Sequence, residues 1–270
     1  MSTNNIDSAV PAEARDFSVK DRVVLVTGSG QGIGRELVRQ FAAAGAIAVV
    51  ADLSLANSES VAKEIVDAGG RSLALSVDVS KKESVDSMVG AIEKEFGRVD
   101  VLVNNASIFS ALVKRPFDEI PANEWQKVMD VNVNGVFFCA AAVAAGMRNR
   151  GFGRIINISS ASVHRGTKNY LHYVTSKSAL IGMTNSLARE LGPHGVTANC
   201  IRPGTVATEV AERVASLTAE IRQRNIDLQC IPRTIVPSDL VGITMFLATP
   251  AASFITGQTI ACDGGYTHSF

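Results

Sequence analysis

Tyr173 and Lys177 stand four residues apart, so on a helix beginning near Tyr173 both side chains share one face. A free phenol has a pKa of about 10, too high to act as a good base at neutral pH. A nearby ammonium favours the phenolate and brings the phenol toward the range useful for proton transfer. Tyr-x-x-x-Lys also occurs as an ordinary surface pair, so the surrounding motifs have to decide between the two.

A glycine-rich run supplies a second chemistry. Thr27-Gly28-Ser29-Gly30-Gln31-Gly32-Ile33-Gly34 follows a β-branched run and precedes a helical pattern. Glycines there allow a tight turn and close backbone approach, and a helix N-terminus presents free N–H groups to a pyrophosphate. The spacing is Gly28-x-x-x-Gly32-x-Gly34; the commoner dinucleotide fingerprint would need glycine where Ile33 stands. Asp52 ends the next β-branched run, where a carboxylate can accept both ribose hydroxyls of NAD and repel the 2′-phosphate of NADP. No Arg or Lys lies between Asp52 and Ala62 to receive such a phosphate. NAD is the expected cofactor. Asp78-Val79 could meet the adenine or cap a helix.

The elements that must carry these residues alternate. Strands are expected at Arg22–Thr27, Ile47–Asp52, Ser72–Asp78, Val99–Asn104, Arg154–Ser159, Val196–Ile201 and Gln258–Cys262, each nearly continuous in hydrophobicity, as strands covered on both faces are. Helices are expected at Gly32–Ala44, Ser58–Ala68, Lys82–Phe96, Asn123–Arg148, Tyr173–Leu191 and Ser238–Leu247. Repeated βαβ units imply an α/β, doubly wound parallel sheet with helices on both faces. Pro203 to Pro237, with a polar helical segment at Val210–Asn225, falls outside this alternation and reads as a lid beyond the strand carboxyl ends. Residues 1–20 read as a loose arm and 21–270 as one domain.

Composition narrows the function classes. The 270 residues carry 26 Lys+Arg and 26 Asp+Glu, so no net field draws the chain to nucleic acid or an anionic membrane. The longest apolar stretches, Phe41–Ala51 and Gly135–Met147, fall short of the roughly 18 residues a membrane helix needs. The N-terminus lacks an apolar signal core, which suggests a cytoplasmic protein. Cys139, Cys200, Cys230 and Cys262 are widely separated, and buried, reduced thiols are expected. No His/Asp/Glu spacing suggests a metal.

The order of the motifs resembles that of the short-chain dehydrogenase/reductase family, from about Val23 to Tyr266. The matching motifs are Thr27-Gly28-x-x-x-Gly32-Ile33-Gly34, Asp78-Val79, Asn104-Asn105-Ala106, Asn132-x-x-Gly135, Ile158-Ser159-Ser160, Tyr173-x-x-x-Lys177 and Pro203-Gly204-x-Val206-x-Thr208. The resemblance implies a single-domain Rossmann-type fold of about seven strands and a homotetramer built partly through the helices starting near Asn123 and Tyr173. It also implies roles. Ser160, not Ser159, would hydrogen-bond the substrate oxygen; Tyr173 would transfer the proton; Lys177 would lower the tyrosine pKa and bind the nicotinamide ribose; Asn132 would hold a relay water. The implied cofactor set is Gly28, Gln31, Gly32, Ile33, Gly34, Asp52, Leu53, Asp78, Val79, Asn105, Ala106, Ser107, Tyr173, Lys177, Pro203, Gly204, Val206 and Thr208. Ser107 departs from the family's usual glycine, which makes transfer of a substrate preference unsafe.

The expected reaction is hydride exchange between NAD and a small-molecule secondary alcohol or ketone. Substrate candidates are Ser107, Ser160, His164, Tyr170 and Tyr173, with His172 nearby; the histidines read as pocket wall because the tyrosine already holds the acid/base role. The competing readings are an NADPH-dependent carbonyl reductase of the 3-oxoacyl type and a catalytically idle dinucleotide-binding module.

Overall fold

The computed structural model describes residues 15–212 and 218–268. Among them seven strands form one parallel sheet in the order β3-β2-β1-β4-β5-β6-β7. The strands are β1 Val23–Thr27, β2 Ile47–Asp52, β3 Arg71–Ser76, β4 Val101–Asn104, β5 Gly153–Ile158, β6 Val196–Pro203 and β7 Thr259–Cys262. The order reverses between β1 and β4, and in open α/β sheets the crevice outside the strand carboxyl ends at that point is where ligands bind.

The expected two-sided burial has a direct structural form. Val24 and Val26 of β1 join a core with Leu37, Phe41 and Leu247, whereas Val23 and Leu25 join the opposite core with Val85, Ile92 and Met147. Successive side chains of a strand point to opposite faces. With both faces covered, β1 is apolar throughout and shows no alternation. The first face is covered by α1 Gly32–Ala43, α2 Leu55–Asp67 and α10 Val241–Ala248, the second by α3 Lys82–Phe96, α5 Gly135–Arg150 and α7 Leu171–Leu191.

The helices differ from the sequence reading mostly at their ends. α2 starts at Leu55, earlier than expected, because the Ser54 hydroxyl accepts a hydrogen bond from the Asn57 N–H and caps it. The expected helix at Asn123–Arg148 is α4 Ala122–Met129, a π-helical turn at Asp130–Asn134, and α5. By length and composition alone this 29-residue helix is apolar enough to cross a membrane. Within the fold its inner side packs into the second core through Cys139, Ala140, Val143 and Met147. The expected helix at Ser238–Leu247 begins instead as a 3-10 turn, Pro237–Leu240. The lid divides into α8 Glu209–Glu212 and α9 Ala219–Asp227; residues 213–217 of the expected Val210–Asn225 helix lie outside the described residues. A short α6, Ser162–Arg165, was not anticipated.

Residues 1–14 of the expected arm lie outside the described residues, but residues 16–19 are docked. The Ala251 N–H donates to the Asp16 carbonyl at 2.9 Å, Phe17 stacks on Phe246 at 6.3 Å, and Val19 is buried. All four cysteines are free; Cys139 and Cys200 are buried, Cys262 is half-buried, and Cys230 is exposed, contrary to expectation.

Candidate active site

The glycine loop is held where backbone must meet backbone. Gly28 has φ +62°, and a Cβ there would lie 2.7 Å from the Ala106 Cα. A Cβ on Gly34 would fall 2.4 Å from the Gly28 carbonyl oxygen, so Gly34 acts by close packing and does not line the cavity, unlike the expected direct cofactor contact. The Asn105 amide donates to the carbonyls of Thr27 and Gly28 at 3.0 and 2.9 Å, and the Thr27 hydroxyl accepts from the N–H groups of Asn105 and Ala106. Asn105 therefore braces the loop from the β4 side.

The loop ends in an anion site. The Gly32 N–H, at the first turn of α1, donates to the Glu209 carboxylate at 2.8 Å. A helix N-terminus holding a carboxylate has the donors and the dipole to hold a phosphate. At the end of β2, Asp52 accepts from the Gly30 N–H at 3.0 Å and the Ser54 N–H at 3.1 Å. The basic residues nearest in sequence on α1 are engaged elsewhere: Arg35 and Arg39 pair with Glu64 at 2.8 and 3.4 Å. A glycine cradle, an anion-holding helix terminus and a carboxylate at the ribose end fit a nicotinamide dinucleotide.

A cavity of about 1250 Å³ runs from this loop to Tyr173. Gly28, Gln31, Gly32, Ile33, Asp52, Leu53, Asp78, Val79, Asn105, Ala106, Ser107, Pro203, Gly204, Val206 and Thr208 line it, as do Ser160, Tyr170, Tyr173 and Lys177. Asp78 also serves its local turn: its carboxylate accepts from the Ser80 N–H at 3.0 Å and the Ser80 hydroxyl at 2.6 Å.

Tyr173 and Lys177 lie in the first two turns of α7. Ser160 and Tyr173 both line the cavity, and the Ser160 Oγ accepts from the Ser162 N–H at 3.2 Å. Ser159 points away, its hydroxyl donating to the Lys177 carbonyl at 2.8 Å. The electrostatics depart from the expected phenolate. Burial pushes the Tyr173 phenol up to about 12, opposed by the Ser160 hydrogen bond. Burial also brings the Lys177 ammonium down to about 8. Lys177 Nζ donates to the Ile158 carbonyl at 2.8 Å and sits 5.9 Å from the Tyr173 ring centroid. Desolvation therefore outweighs the expected help from the ammonium.

Asn132 is fully buried in the π-helical turn and does not line the cavity. Its Oδ1 accepts from the Ile108 N–H at 2.7 Å, and its Nδ2 donates to the Ile108 carbonyl at 3.2 Å and the Ser176 hydroxyl at 3.1 Å. Its side chain pins the Ser107–Phe109 loop to α7. These three bonds occupy the side-chain amide of the residue to which the resemblance gives a water-holding role.

The histidines are both outside the cavity wall. His164 is exposed, and partial desolvation together with the Arg202 charge holds its pKa below the usual range. His172 is fully buried behind Tyr170, with Nε2 3.2 Å from a Glu124 carboxylate oxygen. Tyr170 is fixed by a 2.9 Å bond from its hydroxyl to the Phe109 carbonyl, and its ring lies 5.0 Å from that of Tyr173. Lys114, Arg165, Ile221, Asn225 and Tyr266 also line the cavity. Asn225 and Ile221 belong to the Pro203–Ile231 segment expected to face the substrate, whereas Lys114 and Tyr266, from a remote loop and the C-terminal turn, share no spacing that the sequence could reveal. Among the described residues no group of three His, Cys, Asp or Glu side chains could hold a metal ion.

Comparison with known proteins agrees with this geometry. A family model described as Enoyl-(Acyl carrier protein) reductase matches residues 28–267. A 3-oxoacyl-[acyl-carrier-protein] reductase of Synechocystis sp. is 40% identical over 90% of this chain and 96% of its own length. An NAD-dependent glycerol dehydrogenase of Listeria innocua is 32% identical over 94% and 96%. The crystal structure of a gluconate 5-dehydrogenase from Burkholderia cenocepacia, in complex with NADP and tartrate, superposes with a TM-score of 0.88 at 33% identity, over 96% of this chain and 100% of that one. The chain belongs to the short-chain dehydrogenase/reductase family of oxidoreductases.

Proposed function

We propose that the protein is an NAD-dependent oxidoreductase that interconverts a secondary alcohol and a ketone, with Tyr173 as general acid/base. The observation that carries this reading is that Ser160, Tyr173 and Lys177 line the same cavity as the glycine loop and Asp52. When bound, the nicotinamide supplies hydride exchange at its C4. Gly28, Gln31, Gly32 and Ile33 would hold the pyrophosphate, Asp52 the adenosine ribose, and Val206 and Thr208 the carboxamide. Ser160 orients the substrate oxygen, Tyr173 moves its proton, Lys177 holds the nicotinamide ribose, and Asn132 keeps the Ser107–Phe109 wall in place.

Asp52 supports NAD, since its carboxylate would repel a 2′-phosphate. The relative described as an NAD-dependent glycerol dehydrogenase agrees, whereas the gluconate 5-dehydrogenase neighbour was solved with NADP. The second reading, an NADPH-dependent reductase of 3-oxoacyl thioesters, is favoured by the 40% identical 3-oxoacyl reductase. Ratios of kcat/KM for NADH and NADPH decide between them. A panel of secondary alcohols scored by NADH absorbance tests the main reading. Tyr173→Phe should lower turnover by roughly 100- to 10,000-fold while NADH still binds; unchanged turnover would exclude Tyr173 as the acid/base. NADH binding with no turnover of any alcohol or ketone would favour an idle binding module.

A homotetramer and a cytoplasmic location complete the proposal. Phe137, 54% exposed on α5 in line with the exposed Ala141 and Ala145, supports an apolar contact between copies.

A further inference from the structure

The cavity is lined by charges of both signs. Its carboxylates, Asp52, Asp78 and Asp130, each have local donors: Gly30 and Ser54 for Asp52, Ser80 for Asp78, Gln126 and Asn134 for Asp130. Besides Lys177 the cavity is lined by the cations Lys81, Lys114, Lys127 and Arg165. Lys114 Nζ lies 5.6 Å from the centre of the Tyr170 ring, itself stacked toward Tyr173. The Arg165 guanidinium lies 4.6 Å from the centre of the Tyr266 ring, with Nη1 3.4 Å from the Asn225 Oδ1.

Among the described residues neither Lys114 nor Arg165 is ion-paired, in contrast to Arg115, which pairs with Glu124 at 3.3 Å. Arg165 is also rigidly related to the reacting centre. It closes α6, the turn whose Ser162 N–H donates to the Ser160 hydroxyl. A guanidinium held on an aromatic face keeps its planar fork of donors available to a carboxylate. The same wall includes the apolar Ile108, Phe109 and Ile221, with the Phe109 ring 5.3 Å from that of Tyr173.

We propose that Arg165, aided by the field of Lys114, forms a subsite for a carboxylate, so that the substrate is a hydroxy acid or oxo acid with an apolar skeleton. The proposal rests on the dehydrogenase reading. It adds a recognised group that none of the acid/base residues requires.

The test compares the full-length protein and Arg165→Gln on matched substrates: aliphatic and alicyclic hydroxy acids, their methyl esters, and 3-hydroxybutyryl-CoA. The wild type should favour the acids over their esters by roughly 10- to 100-fold in kcat/KM, the range for a charge-assisted hydrogen bond. In Arg165→Gln that ratio should fall toward one through KM, and Arg165→Lys should restore part of it. Esters used as well as acids, or a ratio unchanged in Arg165→Gln, would overturn the subsite. A thioester preferred over both, with its advantage lost in Arg165→Gln, would assign the arginine to a carrier phosphate and overturn the free carboxylate. A second readout separates this proposal from the reaction itself. If no alcohol turns over, a non-reactive pair, cyclohexanecarboxylate and its amide, is titrated against the NADH complex by thermal shift. A rise in Tm with the acid alone, lost in Arg165→Gln, supports the subsite even though the dehydrogenase reading fails. No difference between acid and amide overturns it.

Discussion

The Glu209 carboxylate accepts a hydrogen bond from the Gly32 N–H at 2.8 Å, so the lid is latched to the helix terminus that would receive a pyrophosphate. Two anions cannot share one set of N–H donors at low cost, and cofactor binding must displace this side chain. Glu209→Ala should therefore tighten NADH binding by about 3- to 10-fold, given helix-terminus charge effects of about 0.3–1 kcal/mol plus a lost competing hydrogen bond. NADH fluorescence titration reads the change, and an unaltered Kd would mean that Glu209 does not compete.

Asp52 ties its carboxylate to Gly30 and Ser54, which fixes a negative charge at the ribose end of the cavity. Asp52→Ser should shift the ratio of kcat/KM values for NAD and NADP toward NADP by about 10- to 100-fold, the size of one lost charge-assisted bond. Paired initial rates with the two cofactors provide the measurement. A ratio that stays constant would remove Asp52 as the discriminating group.

Lys177 gives a pH signature in stability. Its folded value of about 8 lies below the ordinary 10.5, so between those two values the unfolded chain binds more protons than the folded one. Stability contributed by this group therefore rises from pH 8 to pH 10.5 and is lost as pH falls through 8. Thermal melts of wild type and Lys177→Met across this window should show the wild type gaining Tm relative to the variant. Tyr173, raised from 10 to about 12, has the opposite sign and costs stability between pH 10 and 12. Tyr173→Phe removes that loss.

Asn132, itself fully buried, makes three hydrogen bonds, two to the half-buried Ile108 backbone and one to the buried Ser176 hydroxyl. Asn132→Ala removes the partner of the half-buried Ile108 N–H and one of the two bonds of the Ser176 hydroxyl, which keeps the Tyr173 carbonyl, at a cost of about 1–3 kcal/mol. Chemical denaturation should report that loss, and hydrogen exchange should quicken at the Ile108 amide. Normal exchange at Ile108 would argue against a bracing role.

The sheet and the ligand-facing motifs were legible because each is written locally. β1 with Gly28, Gly32 and Gly34 specifies a strand, a close backbone crossing and a helix start within a dozen residues. Tyr173 and Lys177 need only the helical repeat to meet. Helix ends were less legible, since they turn on single caps such as the Ser54 hydroxyl that begins α2.

By itself the sequence determined the strand alternation, the glycine loop, the placement of Asp52 at the end of β2, and the spacing of the acid/base pair. Tertiary structure decided what those groups feel and touch. Gly34 packs against the Gly28 carbonyl, His172 is buried against Glu124, Asn132 clasps Ile108, and Glu209 reaches Gly32 across 177 positions. The physical reason is that periodicity fixes which face a residue occupies, whereas desolvation and hydrogen-bond partners depend on what the rest of the chain brings to that face. Burial at the base of the cavity raises the Tyr173 pKa and lowers that of Lys177, although the two stand one helical turn apart in the sequence.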